Sequence, residues 1–279
     1  MPPSSEVPTQ ATGASDVPTQ VADVSAVPTP SVERPWRALL HAVLWLLAAE
    51  FASIGIAVVA GVVAGLSQGI AHAHGAEGWQ PTLLLYALIG TLALQATLLF
   101  ADLKQGRSVG RGNLAVGLGA GPMRRHRLIA FFAALMIAWV VGYVASLVRF
   151  QAFSAYVATK VPVVLTLPAS GGPVMLAIML LLAVVVAPVT EELFFRGWLW
   201  SALRPSWGVW PTALCTSGLW LGIHAVDGLV RALILLPTAI LLCLARHYGG
   251  SVRASLLVHV VNNSTAVAIQ IAMRLLAPQ

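Results

Sequence analysis

The sequence predicts an all-α, multi-pass membrane bundle of about seven spans, and three observations carry that expectation. Hydrophobic residues make up 58% of the 279 and charged residues only 9%. Mean hydropathy is +0.84. Apolar runs of about 18 residues or more, the length that crosses a hydrocarbon core as a helix, recur from Ala38 to the C-terminal end. A backbone in lipid must satisfy its own hydrogen bonds, which selects helices over open sheets.

Residues 1–35 differ in kind. A short unit returns along them as Val7-Pro8-Thr9-Gln10, Val17-Pro18-Thr19-Gln20 and Val27-Pro28-Thr29-Pro30. Units this polar cannot bury a core, so a disordered tether is expected. The tail lacks the apolar core of a secretory signal, and the run after Arg34 and Arg37 is too long to be one, so the first helix is expected to stay as an anchor.

Seven spans follow, at 38–66, 81–101, 128–149, 173–203, 209–226, 229–247 and 253–275. They divide into N-terminal helices (36–172) and a C-terminal core (173–275) that holds most of the ionisable groups. In the first span, Gly61 and Gly65 form a small-xxx-small pair that predicts a close helix crossing. The segment 102–127 carries Lys104, Arg107, Arg111, Arg124, Arg125 and Arg127, whereas 67–80 has no Lys or Arg. The positive-inside rule then places the N-terminus in the cytoplasm of an inner or plasma membrane. Carried forward, the alternation puts eleven cations inside and four outside. An additional re-entrant segment near 160 is compatible with this count.

The net charge of +6 therefore reads as a topology signal rather than a nucleic-acid surface. The glycines between Gly106 and Gly121 carry no phosphate-binding fingerprint, and fit a loop near anionic headgroups. Cys215 and Cys243 lie in apolar segments without metal-knuckle spacing. His72 and His74, near Glu77, read as a solvated loop. Glu50, in the middle of the first span, is the one intramembrane acid that the C-terminal cluster does not explain, and is expected to face the same cavity or to pair with a buried donor.

The chemistry collects in the last four spans: Glu191, Glu192, Arg196, His224, His259 and Asn263. Charges inside apolar runs are costly and mark function or bracing. Glu192 and Arg196, four apart on one helix, are placed to neutralise each other, while Glu191 points about 100° away without a local partner. A carboxylate in a dry cleft suits a general base. His259 and Asn263, also four apart, offer an imidazole and an amide N–H on one face, a pair suited to an oxyanion or to a metal with its water. Trp220, one turn before His224, reads as packing or as a cavity wall. Asn262 and Ser264 are candidate supporting donors. Counted along their helices, Glu191, His224 and His259 lie roughly 18, 20 and 10 Å from the same end of the bundle.

Glu191-Glu192-x-x-x-Arg196, then Trp220-x-x-x-His224, then His259-x-x-x-Asn263, in that order on successive apolar helices, resembles the CPBP family of intramembrane proteases, the group of type II CAAX prenyl proteases and bacteriocin-processing or Abi proteins. The resemblance covers about residues 173–270, with Trp220 standing where the family more often has Phe. It implies peptide-bond hydrolysis within the membrane, on a peptide or protein substrate. Glu191 and His224 would activate water, His259 and Asn263 would stabilise the oxyanion, and Glu192 and Arg196 would organise the site. Zinc held by Glu191, His224 and His259 is one form this chemistry takes, and a metal-free, glutamate-dependent route is another; the chain has no HExxH. Two rival readings stand beside it. One is a non-catalytic immunity or scaffolding protein with the same polar cluster. The other is a proton-coupled transporter, which ranks last for want of inverted-repeat halves.

Overall fold

The computed structural model describes residues 35–73, 83–107, 125–149, 172–226 and 228–276. Among these the chain forms seven helices: α1 (Pro35–Ala73), α2 (Leu83–Gly106), α3 (His126–Arg149), α4 (Gly172–Trp207), α5 (Val209–Ala225), α6 (Leu229–Gly249) and α7 (Val252–Leu276). Each corresponds to one of the expected spans. The main departures are at helix ends read from the sequence as loop. α1 continues to Ala73, and α2 continues to Gly106 and so takes in Asp102, which is buried, and Lys104. The N-terminal repeats, Arg111 and Arg124, His74 and Glu77, and the segment near 160 lie outside the described residues.

Among the described residues, four stretches are long and apolar enough to cross a membrane: Pro35–Leu66, His126–Ala145, Leu176–Trp207 and Leu229–Gly249. Around an apolar core, the outward face is also apolar, as a lipid-immersed bundle requires. Phe51, Val59, Leu66, Leu214 and Leu229 face outward, while Gln95, Glu191, Glu192, Arg196, Ser255 and His259 are buried. α1 packs on α2, α3 on α7, and α6 between α5 and α7; α4 touches α1, α2, α5 and α7 and carries the fully buried rings of Phe194, Phe195 and Trp198.

The helices alternate up and down, so the N-terminal ends of α1, α3, α5 and α7 meet the C-terminal ends of α2, α4 and α6. An aromatic and cationic collar marks this end. Trp36 meets Trp207 with ring centroids 5.1 Å apart, Trp210 meets His247 at 6.1 Å, and the Arg125 guanidinium lies 5.4 Å from the Tyr248 ring centre. Amphipathic rings and snorkelling cations of this kind sit where hydrocarbon gives way to headgroups.

Two local features shape the site. The helix pair α1–α2 approaches closely at Gly90, where a Cβ would lie 3.0 Å from the Ser53 carbonyl oxygen. The expected crossing at Gly61 and Gly65 is not found, since a Cβ on either would meet nothing within 4 Å. The second feature is in α4, which is not a uniform α-helix. Leu182–Val186 and Glu192–Leu199 are π-helical, with i→i+5 bonds such as Ala187 N–H to Leu182 O and Trp200 N–H to Phe195 O. π turns within helices are uncommon and concentrate at functional sites. After the Ala187–Leu182 bond, the next donor in that pattern would be residue 188, and Pro188 has no N–H to give. The Ala183 carbonyl left over takes a hydrogen bond from another helix, the 2.7 Å bond donated by Asn263 Nδ2 on α7.

Candidate active site

Glu191 and Glu192 sit where the short α-helical piece Ala187–Glu191 gives way to the wide turns that follow. Both are buried, Glu191 at 6% exposure and Glu192 at 0%. Glu192 behaves as its spacing predicts. Arg196 Nη1 donates to its Oε1 at 3.1 Å, with both side chains fully enclosed. The same Oε1 lies 3.1 Å from His259 Nδ1, so α7 is tied to α4 through this carboxylate. The guanidinium lies 5.3 Å from the Trp220 ring centre and 5.8 Å from that of Phe195, in cation–π range. The backbone carbonyl of Arg196 accepts from Arg246 Nε at 2.8 Å, so α6 also supports this wide turn.

Glu191 has no partner on its own turn, as expected, and receives partners from three other helices. Trp220 Nε1 on α5 donates to its Oε2 at 2.7 Å, and Gln95 Nε2 on α2 donates to its Oε1 at 3.3 Å. Gln95 is fixed in turn by the Thr190 hydroxyl, which donates to its Oε1. His259 Nε2 lies 3.9 Å from Glu191 Oε2, in ion-pair rather than hydrogen-bond range. One imidazole therefore stands between the two adjacent glutamates.

Trp220 does more than wall the cavity. Besides donating to Glu191, its ring lies 4.3 Å from the His224 ring and meets the His259 ring edge-on at 5.8 Å. Phe at this position would keep the ring and lose the N–H. His224 is half-buried, and its Nδ1 is 2.8 Å from the Trp220 carbonyl oxygen. A carbonyl only accepts, so Nδ1 carries the proton and Nε2 is left with a lone pair. Asn263 shares the last helix with His259, and its amide spans to Ala183 O while its Oδ1 accepts from Asn262 Nδ2 at 2.9 Å. Asn262 thus backs Asn263, and accepts from Thr238 at 3.5 Å.

The structure brings Glu191, Glu192, Arg196, Trp220 and His259 into one connected cluster, with His224 behind the Trp220 ring and Asn263 one turn further along α7. Sequence reasoning missed Gln95, Thr190 and Arg246. An amide in the middle of the apolar second span is the available signal for Gln95, and Arg246 is one of the eleven cations that the charge alternation places inside.

The zinc set does not assemble. Among the described residues no three His, Cys, Asp or Glu side chains are gathered as ligands for a metal ion. The Trp220 ring packs against both imidazoles, and both Glu191 oxygens already accept N–H donors.

Fold and cluster together define a polytopic helical membrane protein with a paired carboxylate centre enclosed by its helices. Residues 173–265 match the family model described as type II CAAX prenyl endopeptidase Rce1-like, a similarity that agrees with the resemblance to the CPBP family. That match supports intramembrane protease activity in general terms. No curated protein and no solved structure matches the chain.

Proposed function

We propose that the protein is an intramembrane endopeptidase of a cell membrane, with its N-terminus in the cytoplasm, and that it hydrolyses a peptide bond of a peptide or protein substrate. The observation that carries this reading is Glu191: a nearly enclosed carboxylate that no ion pair on its own helix neutralises, held in place by N–H donors from α2 and α5 and faced by an imidazole from α7. In this scheme Glu191 takes a proton from water as the oxygen attacks the scissile carbonyl, with the free Nε2 of His224 assisting. The tetrahedral oxyanion is received by His259 and by the Asn263 amide. Glu191 then returns the proton to the departing amine. Glu192 and Arg196 act by fixing His259 and the wide turn of α4. No step is routed through a metal, because the residues do not converge on one.

The bonds from Asn263 to Ala183 O and from His259 to Glu192 favour a second reading, in which the same groups only tie helices together in a non-catalytic immunity or scaffolding protein. One experiment separates the two. Purified Glu191→Gln protein should keep the wild-type melting temperature and lose at least about a hundredfold in cleavage of a reporter peptide, as removal of a general base does. Cleavage by the variant at the wild-type rate removes Glu191 from the mechanism, and absence of cleavage by the wild type across a broad peptide library favours the scaffold.

A further inference from the structure

A second polar feature lies apart from the carboxylate cluster, in the collar. The C-terminal ends of α4 and α6 enclose an open cavity of about 370 Å³ lined by Trp200, Ser201, Arg204, Pro205, Arg246 and His247. Its volume falls in the range of small-molecule sites. The lining offers two guanidinium groups, an imidazole and a hydroxyl, and no carboxylate. Arg125, from the start of α3, adds its field to those of Arg204 and Arg246 at His247. Cations in the last turn of a helix complement its negative end, and one per helix is enough for that. Here the final turns of α4 and α6 turn two such cations, Arg204 and Arg246, and the imidazole of His247 toward one concavity. Arg204 is exposed and Arg246 and His247 are half-buried. Arg246 also braces the floor, through its bond to Arg196 O and its position 5.7 Å from the Trp200 ring centre.

From this arrangement we infer that the cavity binds a phosphate group, held by Arg204, His247 and the Ser201 hydroxyl. Guanidinium is matched to phosphate in shape as well as charge. The surroundings indicate where the phosphate comes from. The cavity opens beside Trp210, which is exposed and touches His247, and lies within the ring of Trp36, Trp207 and Tyr248 that marks the headgroup level. Basic pockets between membrane helices at this level receive anionic lipid headgroups. A phospholipid phosphodiester and free inorganic phosphate present the same chemistry, and the test distinguishes them.

The full-length protein in zwitterionic detergent is titrated calorimetrically with dihexanoyl phosphatidylglycerol, dihexanoyl phosphatidylcholine and inorganic phosphate, using wild type, Arg204→Gln, Arg204→Lys and His247→Gln. The phosphatidylglycerol is expected to bind more tightly than the phosphatidylcholine. Arg204→Gln should weaken that binding about fivefold, the effect of one cation at an anionic headgroup, and Arg204→Lys should restore most of it. Binding of inorganic phosphate with the same dependence on Arg204, and displacement of the lipid by it, would identify free phosphate as the ligand of this site. Failure of inorganic phosphate to compete would identify the headgroup. Absence of binding by both lipids and by inorganic phosphate, or titrations unchanged in both Arg204→Gln and His247→Gln, overturns the proposal. The outcome is independent of peptidase activity, since it needs no cleavage.

Discussion

Replacing Arg196 by Met removes the cation from a pair in which both side chains are fully enclosed and 3.1 Å apart. At an effective dielectric near 20 the gross attraction at that distance is about 5 kcal/mol. Much of it only offsets the desolvation of two charges, so the measurable quantity is what happens when one partner goes. Glu192 would then be a buried anion with His259 as its remaining donor, a situation that costs about 3–5 kcal/mol. The companion variant Glu192→Gln/Arg196→Met removes both charges and leaves an amide oxygen for His259. Glu192 Oε2 and Arg196 Nε and Nη2 already lack hydrogen-bond partners among the described residues, so this double change sacrifices few satisfied groups. It should fall within about 2 kcal/mol of wild type, and the cycle completed with Glu192→Gln alone should give a coupling above about 1 kcal/mol. Unfolding in mild detergent, followed by circular dichroism against denaturant, measures all four proteins. A loss below about 1 kcal/mol for Arg196→Met, or a coupling indistinguishable from zero, would show that the pair does not hold α4 in its observed conformation.

Two further substitutions address the donors that hold Glu191. Trp220→Phe keeps a ring against both imidazoles and deletes the 2.7 Å bond to Oε2, so kcat should drop about tenfold with little change in KM, the equivalent of about 1.4 kcal/mol of transition-state stabilisation; unaltered kcat would mean that the N–H does not position the carboxylate. Gln95→Leu deletes the donor to Oε1 and leaves the Thr190 hydroxyl its bonds to Val186 O and Ala187 O. Turnover should fall by a similar factor while thermal stability changes by about 1 kcal/mol or less, and a collapse of the fold without a prior effect on turnover would assign Gln95 a purely structural role.

The helices were legible because lipid imposes a length and an apolar composition that few other environments demand: all seven expected helices are found, and among the described residues four are long and apolar enough to cross a membrane. The Glu192–Arg196 pairing was legible because four residues along a helix return a side chain to the same face. What was hidden depends on contacts between helices or on backbone irregularity. Gln95 is one amide in an apolar run, and nothing in its neighbours says that it reaches Glu191 across 96 positions of chain. Pro188 was visible, yet its consequence, a carbonyl that Asn263 must satisfy, follows only once Leu182–Val186 is known to be π-helical. That bond gives Asn263 a bracing role beside the one expected from its spacing with His259. Gly61 and Gly65 show the converse: a motif that permits close approach does not supply a helix to approach.

The collar also sets a length scale for anything that reaches the paired glutamates from that end. Three rods measure the depth independently: Trp210 to Trp220 on α5, Gly106 back to Gln95 on α2, and Val252 to His259 on α7 span about 15, 16 and 10 Å at about 1.5 Å of rise per residue. An unfolded strand advances about 3.3 Å per residue, so roughly three to five residues must be drawn out straight before a bond arrives at that level. A terminus held in a stable coil or a tightly folded cap would stop short of it, whatever its side chains.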